Sequence, residues 1–273
     1  MVSQPALEQY RRQRRRSLAA VAQARRVWGL VGEDLDAGWQ RIEHRLVLTV
    51  TAAQVAAASD GADYVEAALA AAGQSVAPDA LVFPRGFAGV ASDGRPLGSL
   101  LYGAVIRAKQ ADVSSLPARL KVGRDHLDGL VQTTVADASR DASSAAVTAR
   151  PRVQWVRVVN PPCCQRCAVL AGRVYRYSQS FQRHPRCDCS MLPQTVADPD
   201  AVGITIGPGD VKDLTGRQKQ ALADGADFNR TINDYQRKRG DYLPPTRVDQ
   251  ITARARSRAD AVQRLTQAGY LAA

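Results

Sequence analysis

No stretch of the 273-residue chain approaches the roughly 20 consecutive apolar residues that span a bilayer, so a helical membrane protein is excluded and no membrane partner is expected. Aromatic residues make up only 5% of the chain, and a core built from large rings is not expected. Cysteine is absent outside one segment, with all five thiols between Cys163 and Cys189. Disulfide frameworks usually spread their cysteines along the chain. A secretory signal is also missing: the apolar run Ser17 to Ala24 is interrupted by Gln23 and closed by Arg25 and Arg26. The clustering therefore points to metal before disulfides.

Catalytic motifs are equally scarce. There is no P-loop, GxGxxG, HExxH or GxSxG, and no serine–histidine–aspartate arrangement is visible. A zinc deaminase needs H-x-E upstream of P-C-x-x-C, with the glutamate moving protons. Here Pro162 precedes Cys163 rather than Cys164, and His126-Leu127-Asp128 lacks the glutamate. His44 and His126 fall on expected helix surfaces without companion motifs, which gives no cysteine-hydrolase pattern. The chain reads as non-enzymatic.

What is abundant is alanine and arginine. Apolar residues reach 45%, much of it alanine, which enters helices without losing side-chain entropy. Net charge is +11 and the isoelectric point about 9.9, a balance that favours polyanionic surroundings such as nucleic acid. Residues 5 to about 73 read as two or three helices, including Ala62 to Ala72 closed by Gly73. Arg11 to Arg26 is read as a solvated basic face of the first. Residues 74 to 98, rich in proline and glycine, read as a loop-rich linker. Helices follow over Leu97 to Ala111 and Val122 to Ala149, the second ended by Pro151. Past a loop over 194 to 210, Thr215 to Asn233 carries a capping box from Thr215 to Gln218, and Arg247 to Ala268 reads as the last helix.

Between those helical stretches the period changes. Val153 to Val159 alternates and is rich in β-branched residues, so it reads as a strand. Gly172 to Tyr177 reads as a second strand and Cys189 to Pro193 as a third. These short strands flank every cysteine. Cys164-Gln165-Arg166-Cys167 sets two thiolates on one side of a tight turn, at a separation that suits tetrahedral zinc. Seventeen positions on, His184-Pro185-Arg186-Cys187-Asp188-Cys189 supplies two more ligands from His184, Cys187 and Cys189. Either C-x-C or H-x2-C completes the set, because Cys187 and Cys189 share a face in an extended segment. Cys163 is read as a bystander. Four protein ligands close such a site and leave no place for substrate water, so the zinc is structural.

Cys164-x2-Cys167 with Ala168 to Tyr175, followed by His184-Pro185-Arg186-Cys187-Asp188-Cys189, resembles the phage Mu F-like minor head proteins. Lys219 to Asp227, Asn233, Arg239-Gly240 and the ending Ala268-Gly269-Tyr270-Leu271 are similar to what actinobacterial-phage members carry. The resemblance covers roughly residues 120 to 273, while residues 1 to 110 match only in being helical and basic. It implies a minor capsid protein acting in head morphogenesis beside the portal, with portal, other capsid proteins and packaged DNA as partners. The implied location is the capsid interior, and the host cytoplasm during assembly. Some members of that family are classed with capsid maturation proteases; the extra Cys163 is a departure from the pattern. A zinc-ribbon nucleic-acid-binding protein is the alternative. The expected fold is α+β and mainly helical: a basic helical region over 1–96, a core over 97–210 holding a zinc knuckle at 153–193, and a helical segment over 211–273.

Overall fold

A computed structural model describes residues 4–187, 189–195, 206–233 and 243–272. Helix α1 (Gln4–Trp28) buries a stripe that includes Ala6, Gln13, Ser17, Ala24 and Trp28, the spacing of a single helical face. Its other faces hold the exposed Arg11, Arg12, Arg14 and Arg15, as the basic-face reading expects. Helix α2 (Leu35–Ala71) starts at Asp34, whose carboxylate accepts the backbone N–H groups of Asp36 and Ala37, each at 3.0 Å. One helix therefore covers both the Leu35 stripe and Ala62–Ala71.

Helix α5 (Leu116–Thr148) is the central strut, capped by the Ser115 hydroxyl, which accepts from Ala118 N–H. From Thr134 to Arg150 every residue is buried, although the stretch is mostly alanine, serine and charge. Small side chains let neighbours approach on every side. The tightest crossing is at Gly61 of α2, where a Cβ would lie 2.2 Å from the Ser139 carbonyl oxygen. Ser143 Oγ donates to the Gly61 carbonyl at 2.8 Å across the same crossing. Gly61→Ala is expected to force the helices apart and lower stability by about 2 kcal/mol, since overpacking outweighs the gain in helix propensity. The urea midpoint measures this, and an unchanged or higher midpoint would contradict the close packing.

Leu97 to Ala111 is not one helix but two, α3 (Leu97–Leu101) and α4 (Gly103–Lys109), meeting at Tyr102. Trp28, Trp39, Leu46, Leu101, Leu127 and Val131 bring α1 to α5 into one apolar cluster. The 74–98 segment is less irregular than its prolines imply. It holds a short strand β1 (Leu81–Val82) and a 3-10 turn at Pro84–Phe87.

Strand β2 (Val153–Val158) is the middle of a three-stranded antiparallel sheet, between β3 (Val174–Tyr175) and β4 (Ser190–Thr195). Trp155 faces Tyr175 on one side and Pro193 on the other. Pro193 is tolerated because β4 is an edge strand of this sheet. A single turn of helix, α6 (Gln165–Ala168), lies between β2 and β3. The sheet packs on the ends of α2 and α5, with Tyr64, Leu69 and Val147 in the cluster that holds Trp155, Phe181 and the buried cysteines.

The C-terminal helices are shorter than expected. Thr215 to Asn233 divides into α7 (Gly216–Ala223), with the Thr215–Gln218 capping box formed, and α8 (Phe228–Asn233), separated at Gly225, which has φ +91°. Arg247 to Ala268 divides into α9 (Arg247–Ala253) and α10 (Arg258–Gln267), because Ser257 caps a new start by accepting from Asp260 N–H. The chain then closes on β5 (Leu271–Ala272), antiparallel to β1, a pairing that no sequence pattern predicts. Of the expected 194–210 loop, residues 194–195 belong to β4 and Pro208–Asp210 is a 3-10 turn. Residues 196–205, Asp188 and Arg239-Gly240 lie outside the described residues. The fold is α+β and mainly helical, with long N-terminal helices and two small sheets.

Candidate metal centre

Cys164 caps α6, and the N–H groups of Cys167 and Ala168 both donate to its carbonyl at 3.0 Å. That turn points both sulfurs the same way. Asp213 anchors it from outside, accepting the backbone N–H of Gln165 at 2.8 Å. On the other side of the site a second turn closes where Cys187 N–H donates to the His184 carbonyl at 3.0 Å. Arg186 lies within it at φ 60°, a left-handed conformation that costs a side chain with a Cβ energy.

The two turns face each other. His184 Nε2 lies 3.2 Å from Cys164 Sγ and 3.2 Å from Cys167 Sγ, while Nδ1 lies 2.9 Å from the Pro185 carbonyl oxygen. A protonated Nδ1 donates to that carbonyl, which fixes the ring so that Nε2 is the nitrogen facing the sulfurs. Cys164, Cys167 and His184 form one group of donors within 4.8 Å of one another, and Cys167, Cys187 and Cys189 form another. All five candidate ligands are thus brought together, and Cys167 is common to both groups. These groups are positioned to hold a metal ion.

Cys163 is placed differently. Its backbone is pinned to residues 210–212, donating to the Asp210 carbonyl at 2.8 Å and accepting from Lys212 N–H at 2.9 Å. Its buried sulfur belongs to neither group of donors. Burial first, and then the neighbouring Cys164, pushes the Cys163 thiol up to about 11. Cys164 moves the other way, held down to about 4 by its hydrogen bond with Cys167 and then by His184, against burial. Cys187 is also held well below the ordinary thiol range, through bonds with Cys167 and Cys189.

One residue of the site carries no motif in the sequence. Arg157 of β2 is fully buried, and among the described residues it has no carboxylate within ion-pairing distance. Its Nη2 lies 3.7 Å from Cys187 Sγ and 3.9 Å from Cys167 Sγ, its Nη1 donates to the Gln182 carbonyl at 2.6 Å, and its Nε has no partner. The guanidinium sits 4.3 Å from the Phe181 ring centroid, and Phe181 in turn packs on Trp155. A buried cation needs a counter-charge, and the Cys187 sulfur, held below the ordinary thiol range, provides it. One signal was present: with a period of two, Arg157 shares a strand face with Val153 and Trp155, the apolar side.

A second buried group braces the site. Asp137 of α5 accepts Arg140 Nη1 at 2.7 Å, Arg183 Nε at 2.8 Å and Ser92 Oγ at 2.7 Å. Arg140 also donates to the carbonyls of Cys187 and of Cys189, the latter at 3.1 Å, so the ligand loop hangs on α5 through its backbone. Arg183 continues to the Pro244 carbonyl at 2.6 Å, tying in the segment before α9. The i, i+3 spacing of Asp137 and Arg140 was the only sequence hint of this network.

The model of one protein family, the VG15 protein, matches residues 1–205 of the 273. That match takes in α1 to α5 and every cysteine. No curated protein and no solved structure matches the chain. Among the described residues no helix is long and apolar enough to cross a membrane.

Proposed function

The chain belongs to the VG15 protein family, a phage-associated family, and from that premise we propose that it is a structural minor capsid protein of a tailed phage or prophage, stapled by one structural zinc. Its place is the head, near the portal, where it contacts portal and other capsid proteins during morphogenesis in the host cytoplasm and stays in the particle interior. The resemblance of residues 164–189 to Mu F-like minor head proteins supports that finer reading.

The observation that carries the metal assignment is a buried Arg157, without a carboxylate partner among the described residues, facing the sulfurs of Cys167 and Cys187. Zinc suits a donor set of sulfur and imidazole better than a hard cation does. Cys164, Cys167 and His184 supply three ligands, and Cys187 or Cys189 the fourth. Three thiolates and a neutral imidazole around Zn²⁺ leave one formal negative charge, which the single guanidinium of Arg157 balances. Zinc would contribute folding energy to a three-stranded sheet too small to hold its own core. His184 is kept in the binding tautomer by Pro185, and Arg157 and Phe181 keep water from the sulfurs. A site closed by four protein donors offers no position for substrate, in keeping with a structural part.

Purified reduced protein is expected to hold one zinc per chain by elemental analysis, and purified particles are expected to contain the chain in few copies. Absence of tightly held metal would remove the zinc assignment. A chain found only in the host lysate and never in particles would remove the virion assignment, whatever the metal content.

A further inference from the structure

A cavity of about 310 Å³ opens where α1 passes the ligand loop. Gln13, Arg14 and Ser17 of α1, Gln132 of α5, and Arg186 and Lys212 from either side of the cysteines line it. Three of these side chains are cationic, and none of the described residues that line the cavity is a carboxylate. Arg14 donates to the Tyr10 hydroxyl at 3.2 Å and Arg186 to the Asp125 carbonyl at 3.0 Å, and these bonds neutralise neither charge. Among the described residues no ion pair involves Arg14, Arg186 or Lys212, although eleven other pairs form.

The hydroxyl of Ser17 is an independent pointer to a ligand. The residue is 3% exposed, and its Oγ has no hydrogen-bond partner. A buried serine on a helix ordinarily bonds back to the carbonyl one turn earlier, so an orphan hydroxyl at a cavity wall is a donor held ready. Gln13 is nearly as buried, at 6%, and adds an amide beside it. Neutral donors with three cations and no acid recognise an oxyanion, and phosphate is the one that uses such a mixture most fully.

The cavity is also the inner end of a longer basic surface. Arg11, Arg14 and Arg15 are exposed on α1, with Arg26 further along, while Arg12 and Arg25 on the same helix pair with Asp60 and Asp128. From Arg11 to Arg26 the helix rises about 22 Å, long enough to follow several successive phosphates and too long for one small anion. We propose that this cavity seats a backbone phosphate of DNA, which then runs along the arginine face of α1. The choice of DNA as the polymer rests on the virion reading, while the oxyanion chemistry of the cavity does not.

The test uses the full metal-loaded chain and a short labelled DNA duplex, with affinity measured against salt. Each neutralised phosphate contributes about 0.9 to the slope of log affinity on log salt, so Arg14→Ala with Lys212→Ala, which together empty the single phosphate seat, is expected to reduce its magnitude by about 0.9. Ser17→Ala is the sharper variant. It removes an unbonded hydroxyl, so the melting temperature of the free protein should hold or rise, while DNA binding should weaken about tenfold with no change in slope. Wild-type affinity and slope in both variants would overturn the proposal. So would a duplex that fails to bind while inorganic phosphate raises the melting temperature, which would assign the cavity to a free anion. Tighter binding of a polyglutamate peptide than of DNA would overturn it in favour of an acidic protein partner. Particle composition reports on the virion reading separately, so the two failures are distinguishable.

Discussion

Cys167→Ser is expected to abolish metal binding and to unfold the sheet and loops of residues 153–193, the largest effect of any single substitution in the chain. Cys167 belongs to both groups of donors, so no three-member group survives its loss. Cys164→Ser still leaves Cys167, Cys187 and Cys189 together, and its effect should be smaller. Structural zinc in isolated small domains contributes about 10–16 kcal/mol of apparent binding energy. Here the sheet also shares an apolar cluster with α2 and α5, so only part of that is at stake. Losing even about 4 kcal/mol would lower the melting temperature by about 10 °C in a chain of this size. The variant also removes one of the two sulfurs that face the buried Arg157 guanidinium, which adds to the loss.

Cys163→Ala is the matched control. Its sulfur lies outside both donor groups and its backbone hydrogen bonds do not depend on the side chain, so metal content should stay at the wild-type value. An equal loss of zinc in Cys163→Ala, or full zinc and full stability in Cys167→Ser, would show the ligand set to be wrong. Of Cys187→Ala and Cys189→Ala, the one that empties the site identifies the fourth ligand.

The sequence announced some parts of this fold and was silent on others for physical reasons. The Cys164-x2-Cys167 turn and the β-branched run from Val153 are local patterns, written in neighbouring residues, and their placement followed from spacing alone. The central strut was harder to read. From Thr134 to Arg150 the side chains are small and partly charged, a composition that marks a solvated helix, yet every residue there is buried. Its packing depends on backbones approaching at Gly61 and on charges meeting at Asp137, neither of which has a periodic signature. The helix breaks at Tyr102, Gly225 and Ser257 are hidden for a related reason, since a composition that favours helix on both sides conceals a change of direction. Strand β5 has no local signature because its partner β1 lies about 190 positions earlier in the chain, and pairing over such a separation leaves no trace in neighbouring residues.

The buried network at Asp137 gives the second large expectation, and it is one the sequence alone would not have raised. Asp137→Asn keeps the shape of the side chain and removes its charge, so the loss reports on electrostatics rather than on a cavity. Arg140 and Arg183 are each 3% exposed and would face the apolar interior with one fewer anion. Breaking a buried pair in this way typically costs about 3–5 kcal/mol. Two further carboxylates stand nearby, and they set where in that range the effect falls. Burial pushes Asp249 up to about 6, and burial with the charges of Asp249 and Asp137 raises Asp141 as well. The three acids outnumber the two guanidinium groups, so a full set of negative charges is disfavoured in the folded state. Removing the Asp137 charge lets Arg183 turn its field to Asp141 and Asp249, which brings their pKa values down and recovers part of the loss. The expected cost is therefore near the lower bound, about 3 kcal/mol, read from the urea midpoint of metal-loaded protein. Because Arg140 also holds the carbonyls of Cys187 and Cys189, the variant should release zinc to a chelator faster than wild type. A stability change within about 0.5 kcal/mol, the range of ordinary surface substitutions, would mean that Asp141 and Asp249 replace Asp137 completely and that the ligand loop does not depend on it.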